Sequence, residues 1–219
     1  NLKEKLVRKG ILGLLLTLLL LSPLSTKADA AGLPGVLIAV QGRIRCTGFN
    51  VLQVGDKVYA LTATHCLHQG GSVTNLGTWS ISGVLPAMLA DALTGEQLGE
   101  GRPVYTNGDV SVLVYTSEKP VSTLPLTKDR PGFGNQVWGC GVVQDVMQAI
   151  CFPGLWSGDS FNYQGHLFYI ATLPVRPGFS GGPVGVGGTV FAIYSIQLGA
   201  ALTGTTLVQP AIKFLEGVK

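Results

Sequence analysis

Beyond residue 30 the apolar positions of this chain fall into short runs, mostly β-branched, cut by glycine, proline or small polar clusters. The runs Val36 to Val40, Ile44 to Phe49, Val58 to Ala63, Trp79 to Val84 and Val110 to Tyr115 read as strands. So do Gln136 to Gly141, Val142 to Met147, Leu167 to Thr172, Val184 to Val186, Val190 to Gln197 and Thr205 to Val208. Gly187-Gly188 between two of these runs signals a tight hairpin. Only the end carries a helical pattern, with Pro210 at a first-turn position before Ala211, Ile212, Phe214 and Leu215. Many short strands with turn signals between them predict an all-β barrel or sandwich closed by a short C-terminal helix.

The first thirty residues follow another rule. Lys3, Lys5, Arg8 and Lys9 precede a leucine-rich run from Ile11 to Leu21, then Pro23 and Ala28-Asp29-Ala30, the three regions of a secretory leader with cleavage expected after Ala30. A helix over Ile11 to Leu24 would span only about 21 Å of a hydrocarbon core of about 30 Å. The chain opens with Asn1 rather than Met, as a piece of a longer precursor would, and in a viral polyprotein the same run would serve as an uncleaved anchor.

Setting the leader aside changes the charge. The chain carries 15 basic and 12 acidic residues, of which five and two lie in the first thirty, so residues 31–219 are formally neutral. No Lys/Arg run interleaved with aromatics remains to bind nucleic acid. Membrane contact is expected only through an uncleaved leader. The stretch Thr116 to Pro131, with three prolines among polar residues, reads as a crossing between two lobes. The expected organisation is a leader over 1–30, a first β-unit over 31–118 and a second over 119–219. No repeat and no appended peptide-binding domain is expected.

The stretch Arg176-Pro177-Gly178-Phe179-Ser180-Gly181-Gly182-Pro183-Val184 carries the chemistry. A serine flanked by glycines has uncovered backbone N–H groups, and those of Gly178 and Ser180 would form an oxyanion hole, each donor worth roughly 3 to 4 kcal/mol of barrier. An ordinary Gly/Pro turn would have a similar composition. Gly178-Phe179-Ser180-Gly181-Gly182 also fits the G-x-S-x-G elbow of lipases, but that fold needs its acid and histidine after the serine. No histidine follows Gly181, so both partners must lie upstream. His65 ends the β-prone run Val58 to Cys66, and Asp109 opens the alternating run from Val110. His68 reads as a solvated loop residue, and His166 as a surface or hydrogen-bonded structural one. Four cysteines in an exported chain argue for two disulfides, with three pairings possible. A zinc site of Cys46, His65, Cys66 and His68 is the competing use, but its spacing matches no usual metal pattern.

In chain order, Thr62-Ala63-Thr64-His65-Cys66, Asp109-Val110-Ser111-Val112-Leu113 and Gly178-Phe179-Ser180-Gly181-Gly182-Pro183 resemble the three motifs of the trypsin/chymotrypsin-like serine peptidases. The resemblance implies two six-stranded antiparallel β-barrels, with His65 and Asp109 on the first and Ser180 on the second. It implies a His65-Asp109-Ser180 triad hydrolysing peptide bonds of protein or peptide substrates, with no metal or organic cofactor. It selects Cys46 with Cys66 as the bridge beside the histidine, leaving Cys140 and Cys151 as partners. A viral processing protease would keep the same chemistry. A binding protein descended from such enzymes would be expected to have lost a triad member, and a structural β-domain leaves the ordered motifs unexplained.

Two further expectations come from the resemblance. Pro174-Val175-Arg176 would form one wall for the substrate's first side chain and Tyr194-Ser195-Ile196-Gln197 the other, with the strand backbone pairing with substrate. Pro174 falls where trypsins place a carboxylate, so small or medium uncharged side chains are expected rather than Lys or Arg. Phe179 stands where trypsin-like zymogens have the aspartate that pairs with a new amino terminus. A site formed by apolar burial, with no amino-terminal switch, is therefore expected.

Overall fold

The computed structural model describes residues 33–68, 83–144 and 148–218. The leader lies outside them, as does the expected strand over Trp79–Val84 except Gly83 and Val84, which are not in a strand.

Six strands close a first antiparallel barrel: β1 (Val36–Gln41), β2 (Ile44–Val54), β3 (Lys57–Ala63), β4 (Ala87–Asp91), β5 (Gln97–Asn107) and β6 (Val110–Thr116), in the order β1-β2-β3-β6-β5-β4. A second consists of β7 (Gln136–Val143), β8 (Gln148–Tyr163), β9 (His166–Ala171), β10 (Pro183–Val186), β11 (Thr189–Gly199) and β12 (Leu202–Leu207), in the order β10-β11-β12-β9-β8-β7. Closure leaves no strand edge unpaired within either sheet. Helix α1 (Gln209–Glu216) follows, with proline in its first turn.

The unbroken apolar run of β1 has a simple cause. Leu37 and Ala39 point into the first barrel with Ala60, Leu89 and Leu113. The alternating Val36 and Ile38 face outward and meet Val142 and Ala149 of the second barrel. A strand buried on both faces loses the polar half of its alternation. A further seam joins Phe49, Leu61 and Val112 of the first barrel to Val190 and Ile193 of the second, and Ala211 and Leu215, four apart on α1, close it. Each such side chain contributes roughly 1.5 to 3 kcal/mol when fully buried. The chain between β6 and β7 crosses from barrel to barrel: Leu124 N–H donates to Asn50 O (2.8 Å), and Thr127 N–H donates to Val190 O (2.9 Å).

Three strands differ from the sequence expectation. β4, β5 and β8 were not expected, and of the expected strand Val142 to Met147 the last three residues lie outside the described ones. Val142 and Val143 finish β7, and the chain turns at Gln144. β5 contains Gly99, Gly101 and Pro103 and breaks register near Pro103; β8 contains Pro153, Gly154 and Gly158 and breaks register between Trp156 and Ser160. Residues that normally end strands here mark bulges that bend them around a barrel.

Candidate active site

β3 runs into a single 3-10 turn, Thr64–Leu67, all four residues of which are buried. The turn is fixed by Asp109, which lies with Gly108 in the two-residue connection between β5 and β6 and is 0% exposed. Thr64 N–H donates to the Asp109 carbonyl (3.1 Å), and His65 N–H donates to Asp109 Oδ1 (3.0 Å). The His65 ring meets the same carboxylate through Nδ1, 2.9 Å from Oδ1 and 3.0 Å from Oδ2. A carboxylate at Nδ1 holds the proton there and leaves Nε2 as the acceptor. Behind this pair the Ser111 hydroxyl is 2.9 Å from that of Thr64 and 2.8 Å from that of Thr106.

The serine turn is built on the other barrel. Phe179 N–H donates to Arg176 O (3.0 Å), Pro177 occupies the second position, and Gly178 has φ +99°, the features of a type II turn. Pro177 O accepts from Gln144 N–H (3.1 Å). Because a trans peptide is planar, the N–H of Gly178 then points the opposite way from that carbonyl. Among the described residues, neither the Gly178 nor the Ser180 N–H donates to a protein acceptor, while the N–H groups of Phe179, Gly181 and Gly182 all do. The turn thus presents two uncommitted donors around its serine. A Cβ on Gly178 would run into Val142 O, so a side chain there is barred by space as well as by φ.

Phe179 is fully buried, 5.5 Å edge-on from the Tyr194 ring and 6.1 Å from Phe152. The turn is also tied to the first barrel by Thr47, itself 0% exposed. Its N–H donates to Ser180 O (2.9 Å), its hydroxyl donates to Gly178 O (2.6 Å) and accepts from Val142 N–H (2.7 Å), and its carbonyl accepts from the Thr62 hydroxyl (2.7 Å). Ser180 O lies 3.9 Å from Sγ of Cys66, the residue after His65. The barrels therefore bring the serine turn against the turn that carries His65. Among the described residues His65 bonds Asp109 and makes no hydrogen bond to Ser180 Oγ, a contact that commonly tightens only with substrate present.

Beside the serine, Gly181 N–H donates to Tyr194 O and Tyr194 N–H to Gly182 O. The buried Tyr194 phenol donates to Pro174 O (3.3 Å), joining the two segments expected to flank the substrate's first side chain; burial raises its pKa. Pro174, Val175 and Ile196 are half-buried, and Arg176 and Gln197 are exposed. Ser195 is buried with its hydroxyl 2.7 Å from that of Thr206. Sequence reasoning missed Thr203, buried with its hydroxyl donating to Ile196 O (3.1 Å). It also missed Thr47, Gln144 and the support by Ser111. Only Thr47 had a signal, its place between Cys46 and Gly48.

Cys46 is bridged to Cys66 and Cys140 to Cys151. The second pair sits directly opposite across β7 and β8. Cys46, His65 and Cys66 place their ligand atoms within 4.8 Å of one another, but both sulfurs belong to the bridge and offer no thiolate. The expectation for His68 is corrected: it is half-buried, packs over Gly83 rather than standing in solvent, and desolvation lowers its pKa. His166 is half-buried against the Gly108 turn, where Nδ1 lies 2.9 Å from where a Cβ on Gly108 would stand. Among the described residues no helix is long and apolar enough to cross a membrane.

No family model matches this chain, and no curated protein matches it. Among solved structures it is similar to Rv3671c protease in its inactive form, with 17% identity and a TM-score of 0.63 over 86% of this chain and 91% of that one. At that identity the likeness speaks for the fold alone, which is chymotrypsin-like.

Proposed function

We propose that this chymotrypsin-like chain is a serine endopeptidase acting outside the cytoplasm. The observation that carries it is the pairing of a buried Asp109–His65 couple with a serine turn whose two inner N–H groups are uncommitted. Ser180 Oγ attacks a peptide carbonyl while its proton passes to His65 Nε2. Asp109 holds the imidazole by Nδ1 and balances the imidazolium that forms. The carbonyl oxygen, now negative, is bound by the N–H groups of Gly178 and Ser180. As the tetrahedral species collapses, His65 gives its proton to the departing amine; a water activated by the same base then releases the acyl group.

Two further points support a specific form of this activity. With Pro174 where a carboxylate would have to stand, and the Tyr194 phenol tied to its carbonyl, these walls offer a cation no counter-charge, so small or medium uncharged side chains are preferred over Lys or Arg. With Phe179 buried at the turn, the oxyanion geometry needs no ion pair from a new terminus. The leader and two disulfides favour an oxidising compartment. Labelling by a fluorophosphonate probe, with Ser180→Ala as control, tests the proposal. Label on the wild type alone is expected; a folded wild type that takes up none at neutral pH would sink it.

A further inference from the structure

The serine turn is tied to a tyrosine that reaches across the site. Gly181 N–H donates to Tyr194 O (2.8 Å) and Tyr194 N–H donates to Gly182 O (2.9 Å), so the Tyr194 backbone is fixed to the two residues that follow Ser180. From there its side chain crosses to the segment that precedes the turn, where the phenol donates to Pro174 O (3.3 Å). The residue is 0% exposed, so the ring fills the space it crosses rather than lining it. Burial pushes the phenol pKa up, which keeps the donor protonated. The Phe179 ring stands edge-on to it at 5.5 Å. On β7 a glycine gives way: Gly139 is buried within the strand, its φ is not positive, and a Cβ there would collide with the phenol oxygen. That backbone could carry a side chain; what the glycine supplies is room for Tyr194.

A carbonyl bound by the N–H groups of Gly178 and Ser180 puts the side chain of its own residue beside the turn, between Pro174–Arg176 and β11. We infer that the Tyr194 ring is the floor of that space and limits it to side chains about the size of alanine or serine, with Tyr194 as the specificity-determining residue and Gly139 as the residue that admits it. The inference rests on the peptidase reading and narrows it. Lack of a counter-charge rejects Lys and Arg but would admit Leu, Met or Phe; the ring rejects these as well. A longer side chain has to displace a ring packed against Phe179 and break its bond to Pro174 O. A close-packed interior yields little to such an insertion.

Peptides identical except for Ala, Leu or Phe at the residue that supplies the scissile carbonyl provide the test, using the full chain. In the wild type, kcat/KM for Ala is expected to exceed that for Leu by roughly 10- to 100-fold. Tyr194→Val withdraws the ring and should bring that ratio to one or below, and Tyr194→Leu should move it the same way by less. Tyr194→Phe keeps the ring and loses only the bond, so Ala should stay preferred. An unfolding curve accompanies each variant, and if neither shortened variant folds, the wild-type order alone decides. Wild-type turnover of Leu or Phe as fast as Ala, or a folded Tyr194→Val that keeps the wild-type ratio, would overturn the inference and leave the peptidase reading intact. No turnover of any of the three peptides by a folded wild type that also takes up no fluorophosphonate would remove the peptidase reading and the inference with it.

Discussion

The two barrels hold their parts of the site by opposite means. The first surrounds the Asp109–His65 pair with hydrogen-bonding groups: Thr64, Ser111 and Asp109 itself are all 0% exposed. The second packs its serine turn against rings, for Phe179 shares one buried cluster with Trp156, Phe191 and Tyr194. The difference follows from what each must fix. A proton's position on an imidazole is set only by directional bonds to a carboxylate, so the first barrel must bury polar atoms and satisfy each one. The serine turn is a backbone shape, which packing against an unyielding wall helps to set beside the bonds from Thr47 and Gln144.

The largest effects should come from the point where the two devices meet. Ser180→Ala and His65→Ala are each expected to lower kcat by roughly 10⁵- to 10⁶-fold, and the double variant to be little worse, because the residues act as a unit. His68→Ala should keep most activity; full loss there, with His65→Ala active, would shift the assignment by three residues. Gly178→Ala attacks the backbone shape alone and should cost about 10² to 10³ in kcat, measured beside an unfolding curve that shows the barrel intact.

Smaller effects separate the barrels by stability. Phe179→Ala empties the wall of the second barrel and should cost about 3 to 5 kcal/mol in urea unfolding. Ser111→Ala leaves the Thr64 and Thr106 hydroxyls without their shared partner and should cost about 1 to 3 kcal/mol. If Ser111→Ala proved the costlier, the contrast between polar and aromatic support would be wrong.

The first barrel also buries Tyr115, whose phenol donates to Asn50 Oδ1 (3.0 Å) and whose pKa is pushed up to about 12, chiefly by burial. An unfolded phenol ionises near 10, before the folded one, so stability should be full below pH 10 and be lost as pH rises toward 12. Tyr115→Phe should flatten that alkaline limb in unfolding titrations.

The smallest effect belongs to His68. Its lowered pKa means the unfolded chain takes up a proton first as pH falls below about 6.5. Stability should therefore decline slightly from there until the folded histidine also protonates, and His68→Gln should remove that slope.

What could be read from the sequence follows the same division. The residues of the proposed triad stand out in the sequence because each lies in a short segment whose neighbours shape it locally: a β-prone run ending at His65, a turn opening at Asp109, glycines around Ser180. Strands β1, β3, β6 and β11 were legible because burial on both faces concentrates apolar residues there. β5 and β8 were not, since their pairing is set by barrel closure while Gly99, Pro103, Pro153 and Gly158 argue locally for loops. Thr47 and Gln144 were missed for a related reason. Their value lies in a backbone far away in sequence, and no local pattern announces a hydrogen bond across 131 residues such as that from Thr47 to Gly178.

Thr47 has one more consequence, for how such a chain can be recombined. Every polar atom of this residue is engaged, and two of its four bonds finish the shape of a turn that belongs to the other barrel. A chimera joining the first half of this chain to the second half of a distant relative could keep serine, histidine and aspartate and still present a misshapen oxyanion turn. The halves are separate in topology but not interchangeable, and compatibility between them hinges on one threonine hydroxyl rather than on the residues proposed to do the chemistry.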